Sequence, residues 1–388
     1  MGLANENEFQ YHLPLLPRHP GPAAGGTRSL GVKSLAFCAL TSKGWIFVAS
    51  ALFSVAIMAA TEQPAATEAQ RGRFLMGTAC RITAFGPDRP ATVRAIEAAL
   101  DRIQEAEALL STWRDDTELA RLNREASGRS VPVSPELRRF LERVLAVAES
   151  TSGAFDPTVG ALVDAWDLRG AGKVPSPGEL QRARRAVGFQ QVRLENHSSV
   201  RFLAPGLWLD SGASGKGYAL ERAAETLQAH GIRAALLDFG GQLLALGSPP
   251  GEPGWTVAVA DPRDRHGAAL ILLLHDVSVA TSSQWERGRQ VEGRWIGHIL
   301  DPGTGEPVAW LGSTTVVAAR ALEADALATG LFVLGPVAGL QWAGDYPAVG
   351  VAYLSAAEGA EGVSSLQLQS NAAFRSVLHG TRDDVRAP

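Results

Sequence analysis

The sequence predicts an α+β fold in which antiparallel sheets pack against helices. Two observations carry this expectation. From about residue 234 to 318 one β-type run follows another, whereas a doubly wound parallel sheet would alternate strands with helices. Stretches with apolar residues at three- and four-residue spacing stand on either side of those runs. The composition is that of a globular chain, 46% hydrophobic and 20% charged, with no internal repeat. Its 388 residues suffice for a sizeable core in one large or two ordinary domains.

In chain order, residues 1–43 read as a disordered leader, rich in Gly, Pro and Ala and without hydrophobic period. Residues 44–60, within "KGWIFVASALFSVAIMAATEQ", form a nearly unbroken apolar run with Lys33 and Lys43 before it and Glu62 after it. That is the pattern of a signal h-region or transmembrane anchor, the alternative being a buried core helix. The lysines hold the amino end in the cytoplasm, so the remainder is expected to be exported. It would sit on the periplasmic side of the inner membrane, anchored or released after signal cleavage. Residues 61–72 read as a linker and 73–388 as the folded domain.

"FLMGTACRITAFG" alternates like a strand and ends in a turn. Val93, Ile96, Leu100, Ile103 and Leu110 keep helical spacing between Ala91 and Trp113. Ser134-Pro135 and Ser176-Pro177 are helix starts, Ser as N-cap and Pro at the first helical position. "KGYALERAAETLQAHG" is a helix stopped by Gly231. The β-type runs are "AALLDF", "QLLALG", "WTVAVAD", "ALILLLHDVSVAT", "RWIGHIL" and "STTVVAA". Then come the helix "LEADALATGLFVLG", a short helix near Val337–Trp342, and strands "VGVAYLS" and "LQLQS".

The bulk numbers also exclude. The formal net charge is -4 and no Lys/Arg cluster interleaves with aromatics, which argues against nucleic acid as a partner. Cys38 and Cys80 make no disulfide framework, and the eight histidines lack zinc-ligand spacing.

Several stretches are polar or glycine-rich where structure alone does not require it. "SGASGKGYA" sets glycines beside Lys216 at a helix start, where backbone N–H groups can hold a phosphate; a flexible turn with a surface lysine is the alternative. It is no Walker A loop, because Gly217 stands where Ser or Thr would hold Mg²⁺. In "GAFDPTVGALVDAW", Asp156 before Pro157 reads as a helix cap or as a ligand contact. In "LLDFGGQLLALG", Gly240-Gly241 make a tight hairpin or let the backbone approach a ligand. "GHILDPGTGEPV" carries His298 on a strand, then Asp301 and Thr304 in ordinary turn chemistry. In "STWRDDTELARLN", Trp113 and Asn123 are available to a ligand, with a core position the alternative for Trp113. Asp325 sits inside an otherwise apolar helix, with Thr329 one turn on and on the same face. Asp325 can complement the helix macrodipole or pair with Arg320; its oxygen and that of Thr329 also suit Mg²⁺, which takes hard oxygen ligands and retains phosphate oxygens.

Taken in order, "MGT", "STWRDDTELARLN", "GAFDPTVGALVDAW", "DSGASGKGYA", "DFGGQLLALG", "HILDPGTGEPV" and "ADALATGLFVLG" resemble the ApbE family of FAD:protein FMN transferases, from about Arg73 to Gly335. The resemblance implies a Mg²⁺-dependent reaction in which a Ser or Thr hydroxyl of an acceptor protein takes FMN from FAD and AMP leaves. It implies Asp325, Thr329 and the Ala213 carbonyl as metal ligands. It places flavin-nucleotide contacts at Met76, Trp113, Asn123, Ala154, Phe155, Asp156, Asp210, Lys216 and Ile299. His298 and Lys216 match the family's catalytic positions. With the exported leader, the acceptor is expected to be a membrane or exported redox protein. An FAD-binding protein or an FAD pyrophosphatase without acceptor is the alternative. "DSGASGKG" departs from the family's D-L-G-G-I-A-K-G, and Ser283 stands where Gly is common.

Overall fold

In the computed structural model, the described residues are 66–284, 288–310, 312–358, 364–383 and 385–386. All lie in the unit Ala65–Pro388. The leader, the apolar run at 44–60 and the first part of the linker fall outside them.

A hairpin of β1 (Thr67–Leu75) and β2 (Thr78–Gly86) turns at Met76-Gly77 and leads into α1 (Arg89–Leu110). Next come α2 (Glu118–Glu125), β3 (Val131–Pro132), α3 (Pro135–Ser150), α4 (Gly160–Ala165) and α5 (Pro177–Arg185). A 3₁₀ turn at Phe189–Gln191 precedes β4 (Val192–Glu195), β5 (Ser199–Phe202) and α6 (Gly215–Ala229). The β-rich part holds β6 (Ala234–Phe239), β7 (Gln242–Leu246), β8 (Trp255–Asp261), β9 (Asp264–Leu274), β10 (Ser278–Ser283), β11 (Arg289–Val291), β12 (Arg294–Ile296) and β13 (Gly312–Ala318). The chain closes with α7 (Ala321–Asp345), β14 (Gly350–Glu358), β15 (Ser364–Ser370), α8 (Ala372–Arg375), β16 (Leu378–Thr381) and β17 (Val385–Arg386).

Among the described residues, nine strands form one sheet in the order β1-β2-β6-β7-β10-β13-β14-β15-β17. Its pairings are antiparallel except β15 with β17. Helices α1, α6 and α7 cover one face: Ile82, Leu237, Leu244 and Val316 share a core with Ile96, Leu100, Leu220 and Leu331. The small sheet β16-β9-β8 covers the other face, where Leu243, Val279, Val317 and Leu354 meet Trp255, Val257 and Leu272. The expected α+β architecture with antiparallel sheets is what the chain adopts.

Helix starts follow the local chemistry. Ser134 caps α3 by accepting the Leu137 N–H, and Ser176 closes a capping box with Glu179 at the start of α5. Two readings need correction. The linker does not reach residue 72, because β1 begins at Thr67; only Ala69 and Leu75 of this edge strand are buried, so its polar residues hide it. "ALILLLHDVSVAT" is two strands of different sheets, broken at residues 275–277, where Asp276 takes φ 51. The short helix expected near Val337–Trp342 is present: Gly335, at φ 74, leaves helical geometry before Pro336 and divides α7 into two helical halves.

Candidate active site

The N-termini of α6 and α7 cross at very short range. A Cβ on Gly217 would lie 2.1 Å from the Ala321 carbonyl oxygen, so only glycine permits the crossing. The crossing brings Asp325 to the start of α6. Its Oδ2 accepts the Gly217 N–H at 3.0 Å and its Oδ1 faces Lys216 Nζ at 3.2 Å. The carboxylate is 8% exposed. Asp325 thus does complement a helix N-terminus, but that of α6 and not its own.

An ion network fixes the two helices. Arg143 of α3 forks onto Glu221 of α6 at 2.6 and 2.8 Å, and onto Glu323 of α7 at 2.6 and 3.1 Å. Glu221 also accepts the Leu322 N–H at 3.0 Å. Burial opposes its ionisation, but the Arg143 guanidinium outweighs it, and its pKa lies below the ordinary value. Arg320 pairs with Glu221 and Glu323, so the suggested Arg320–Asp325 pair is not formed.

One turn beyond Asp325, Thr329 Oγ1 is 3.3 Å from Ser282 Oγ on β10. Gly330 lets the 153–156 segment close on α7: a Cβ there would be 2.7 Å from Phe155 Cβ. Phe155 is buried beside this turn and Ala154 is half-buried. Ala213 lies in the loop entering α6, shaped by Gly212 N–H donating to Asp210 Oδ1 and Gly215 N–H to the Ser211 carbonyl, both at 2.7 Å. The carboxylate of Asp325, the hydroxyl of Thr329 and the carbonyl of Ala213 are hard oxygen donors carrying a single negative charge. That set fits Mg²⁺, which fills the rest of its shell with water and phosphate oxygens.

A second wall stands around Asp210. Its Oδ2 accepts from Arg169 at 2.5 Å. Trp113 is 73% exposed, which overturns a core position for it. Asn123 is tied at both ends of its amide to Leu209, accepting its N–H and donating to its carbonyl, each at 2.9 Å. It holds the chain just before Asp210 in place. A cleft of about 250 Å³ opens beside it, lined by Thr112, Asp115, Arg124 and Trp208 among others. Asp156 is buried with both oxygens engaged, Oδ1 by the Thr158 N–H and hydroxyl and Oδ2 by the Phe189 N–H. Burial raises its pKa against those bonds. It caps no helix, since Val159 occupies that position for α4.

His298 lies in a bend after β12, half-buried, not on a strand as the sequence suggested. Buried Gln284 clamps this bend: its Oε1 accepts the Ile299 N–H at 3.0 Å, and its Nε2 donates to the Ile299 and Val308 carbonyls at 2.7 and 3.0 Å. Ile299 is itself buried. A Cβ on Gly297 would strike Gln284 at 2.1 Å. Asp301 is a turn residue, accepting the Gly303 and Thr304 N–H groups. Gly240 and Gly241, at φ 60 and 86, make the β6–β7 hairpin. Met76, at φ 45, donates its N–H to Glu107 at 3.1 Å.

Direct contacts thus join Lys216 to Asp325 and Phe155 to the α7 turn of Thr329. Met76 and Ile299 are held by Glu107 and Gln284. Sequence reasoning missed Gln284, Arg169 and Ser282.

Residues 76–353 match the model of the ApbE family. An FAD:protein FMN transferase of Treponema pallidum is 37% identical over 291 residues, covering 69% of this chain and 79% of that protein. One from Klebsiella pneumoniae is 35% identical, covering 70% and 80%. Among solved structures, the apo flavinyl transferase ApbE of Pseudomonas stutzeri matches with a TM-score of 0.71 at 26% identity, over 82% of this chain and 98% of that one. The ApbE protein of Thermotoga maritima matches with 0.72 at 28%, over 81% and 100%. The family's motifs, its fold and the junction of Lys216 with Asp325 coincide in this chain, which belongs to the ApbE family.

Proposed function

We propose that this protein transfers FMN from FAD to a Ser or Thr hydroxyl of an acceptor protein. The observation that carries the reading is the Lys216–Asp325–Gly217 junction, with Thr329 one turn away, in a chain whose relatives bear that activity's name. The acceptor oxygen bonds to the flavin-side phosphorus of FAD. The phosphoanhydride bond to AMP breaks, and the hydroxyl proton passes to His298. Asp325, Thr329 and the Ala213 carbonyl would hold Mg²⁺, which supplies Lewis acidity at the phosphate oxygens. Lys216 offsets charge on the pyrophosphate, as phosphoryl transfer needs positioning and charge stabilisation above all.

The test is to incubate FAD, Mg²⁺ and an exported redox protein of the host with the enzyme. A covalent FMN adduct on Thr or Ser, with one AMP per adduct, is expected by mass spectrometry. FMN and AMP in equal amounts without adduct would make the chain a pyrophosphatase instead.

Lys216 yields a prediction of its own. Without nucleotide its ammonium faces the oxygen that a cation needs, and two positive groups on one carboxylate repel. Lys216→Met is therefore expected to bind Mn²⁺ several-fold more tightly in the absence of FAD, while transferring FMN more slowly. Electron paramagnetic resonance of free Mn²⁺ measures this; unchanged Mn²⁺ affinity would remove Lys216 from the metal site.

Export belongs to the same reading. The apolar run behind Lys33 and Lys43 supports a position on the periplasmic side, where membrane or exported redox proteins would be the available acceptors. A reporter fused after Pro388 is expected to be active only if it works outside the cytoplasm; cytoplasmic activity alone would refute export.

A further inference from the structure

We propose that Arg169 is a positioning residue for FAD, setting the Asp210 carboxylate and the Trp113 indole as one preformed wall of the site. This rests on the reading above that the nucleotide meets Asp210 and Trp113.

Arg169 lies in the loop that follows α4. Its Nη1 donates to the Thr112 carbonyl at 2.9 Å, and its Nη2 donates to Thr112 Oγ1 at 2.9 Å and to Asp210 Oδ2 at 2.5 Å. The guanidinium also lies over two indole rings. Its carbon stands 4.8 Å from the Trp208 ring centroid and 5.5 Å from that of Trp113. A planar cation thus meets two indoles while its edge binds a carboxylate and a hydroxyl, a combination that a lysine ammonium cannot reproduce.

The consequences reach both halves of the site. The other oxygen of Asp210 accepts the Gly212 N–H, so the carboxylate is fixed at both ends, and with it the start of the loop that carries Ala213. The Arg169 loop is anchored in turn. Asp167, at φ 49, receives the Gly170 and Gly172 N–H groups on its carbonyl, each at 3.1 Å. The Leu168 and Gly170 carbonyls accept from Arg289 on β11, in the hairpin that runs into His298. One loop therefore ties the Asp210 wall to the His298 bend.

Trp113 presents its ring to water, and holding an exposed indole in one orientation costs rotamer freedom that the contact with Arg169 offsets. Without Arg169, the indole and the carboxylate must be ordered when FAD binds, which weakens binding and leaves later steps alone. Arg169→Met is expected to raise the FAD Kd and KM about tenfold, with kcat within about threefold of wild type. Arg169→Lys, which keeps charge and fold, should recover less than half of that loss on a logarithmic scale. In an Asp210→Asn background Arg169→Met should cost clearly less than in wild type, as expected for two groups acting through one contact.

The experiment is FAD titration by flavin fluorescence plus steady-state transfer kinetics on wild type, Arg169→Met, Arg169→Lys, Asp210→Asn, Trp113→Ala and the double variant. If Asp210→Asn and Trp113→Ala bind weakly while both Arg169 variants bind as wild type, the role of Arg169 is refuted. A fall in kcat at unchanged KM, or full additivity in the double variant, also refutes it. If Asp210→Asn and Trp113→Ala bind FAD as wild type, it is the placement of the nucleotide that fails.

Discussion

Asp325→Asn is expected to cut FMN transfer about 10²-fold or more while leaving the protein folded. The substitution keeps the shape of the side chain. Its remaining carbonyl oxygen can still accept the Gly217 N–H that Asp325 now accepts at 3.0 Å. What is lost is the one negative charge of the donor set. A Lewis acid held at a transferring phosphate supplies several kcal/mol, and each 1.36 kcal/mol is a tenfold change in rate. The stability cost is smaller. The Gly217 hydrogen bond becomes a neutral one and the Lys216 ion pair is lost, together ~2–3 kcal/mol, a fraction of the ~5–15 kcal/mol that keeps a domain folded. Two measurements separate the roles: thermal unfolding, expected to shift by a few degrees, and Mn²⁺ binding, expected to weaken by at least tenfold. Transfer at a near wild-type rate under limiting Mg²⁺ would show that Asp325 only caps α6, and the metal would need other ligands.

That double use of Asp325 shows what a sequence can and cannot disclose. A carboxylate in a greasy helix is visible as an anomaly, and both of its explanations were open. Only the crossing of α6 and α7 shows that the helix it complements is a different one. The same crossing explains Gly217. Read along the chain, it is the residue that spoils a Walker A loop; in space, it is the position where any side chain would strike Ala321. A requirement imposed by a segment about a hundred residues away leaves no local mark beyond the glycine itself.

The fold was legible where burial is lopsided and where turns are sharp. The capped starts of α3 and α5 and the glycine hairpin after β6 follow from nearby residues. β7 and β13 are buried on both faces, so neither alternates, and β13 even buries Ser313, Thr314 and Thr315; their place in the middle of a sheet has to be inferred from order alone. β1 failed for the opposite reason, as an edge strand with polar residues facing water. Gln284 and Arg169 were illegible because their partners are distant in sequence: Ile299 is 15 residues from Gln284, and Asp210 is 41 from Arg169. A buried glutamine amide after a strand is the one signal that could have drawn attention to the first. Asn123 carries a use that residue type cannot convey: it lines the cleft, and its amide also engages the Leu209 backbone.

His298→Ala is expected to slow single-turnover FMN transfer by ~10²–10⁴-fold, the usual contribution of a general base, with FAD affinity within a fewfold of wild type. The base acts only when the acceptor oxygen loses its proton, so its removal is felt in the transition state and not in the ground-state complex. Binding rests on other groups, the loop before α6 and the wall at Asp210. The bend that carries His298 is held by Gln284 through the backbone of Ile299 and Val308, contacts that the substitution leaves in place. Gln284→Leu is therefore a useful companion. It leaves the imidazole in the chain but frees the bend, and it should lower the rate without removing its pH dependence. The sign of that dependence follows from the role. An imidazole accepts a proton only when neutral, so the wild-type rate falls on the acid side of the profile, where the base becomes protonated. His298→Ala should lose this limb of the profile and retain a low, flat rate. If the variant instead loses FAD affinity and keeps its turnover at saturating FAD, His298 is a binding residue. If it loses rate but keeps the acid limb, some other group titrates in that range and takes the proton.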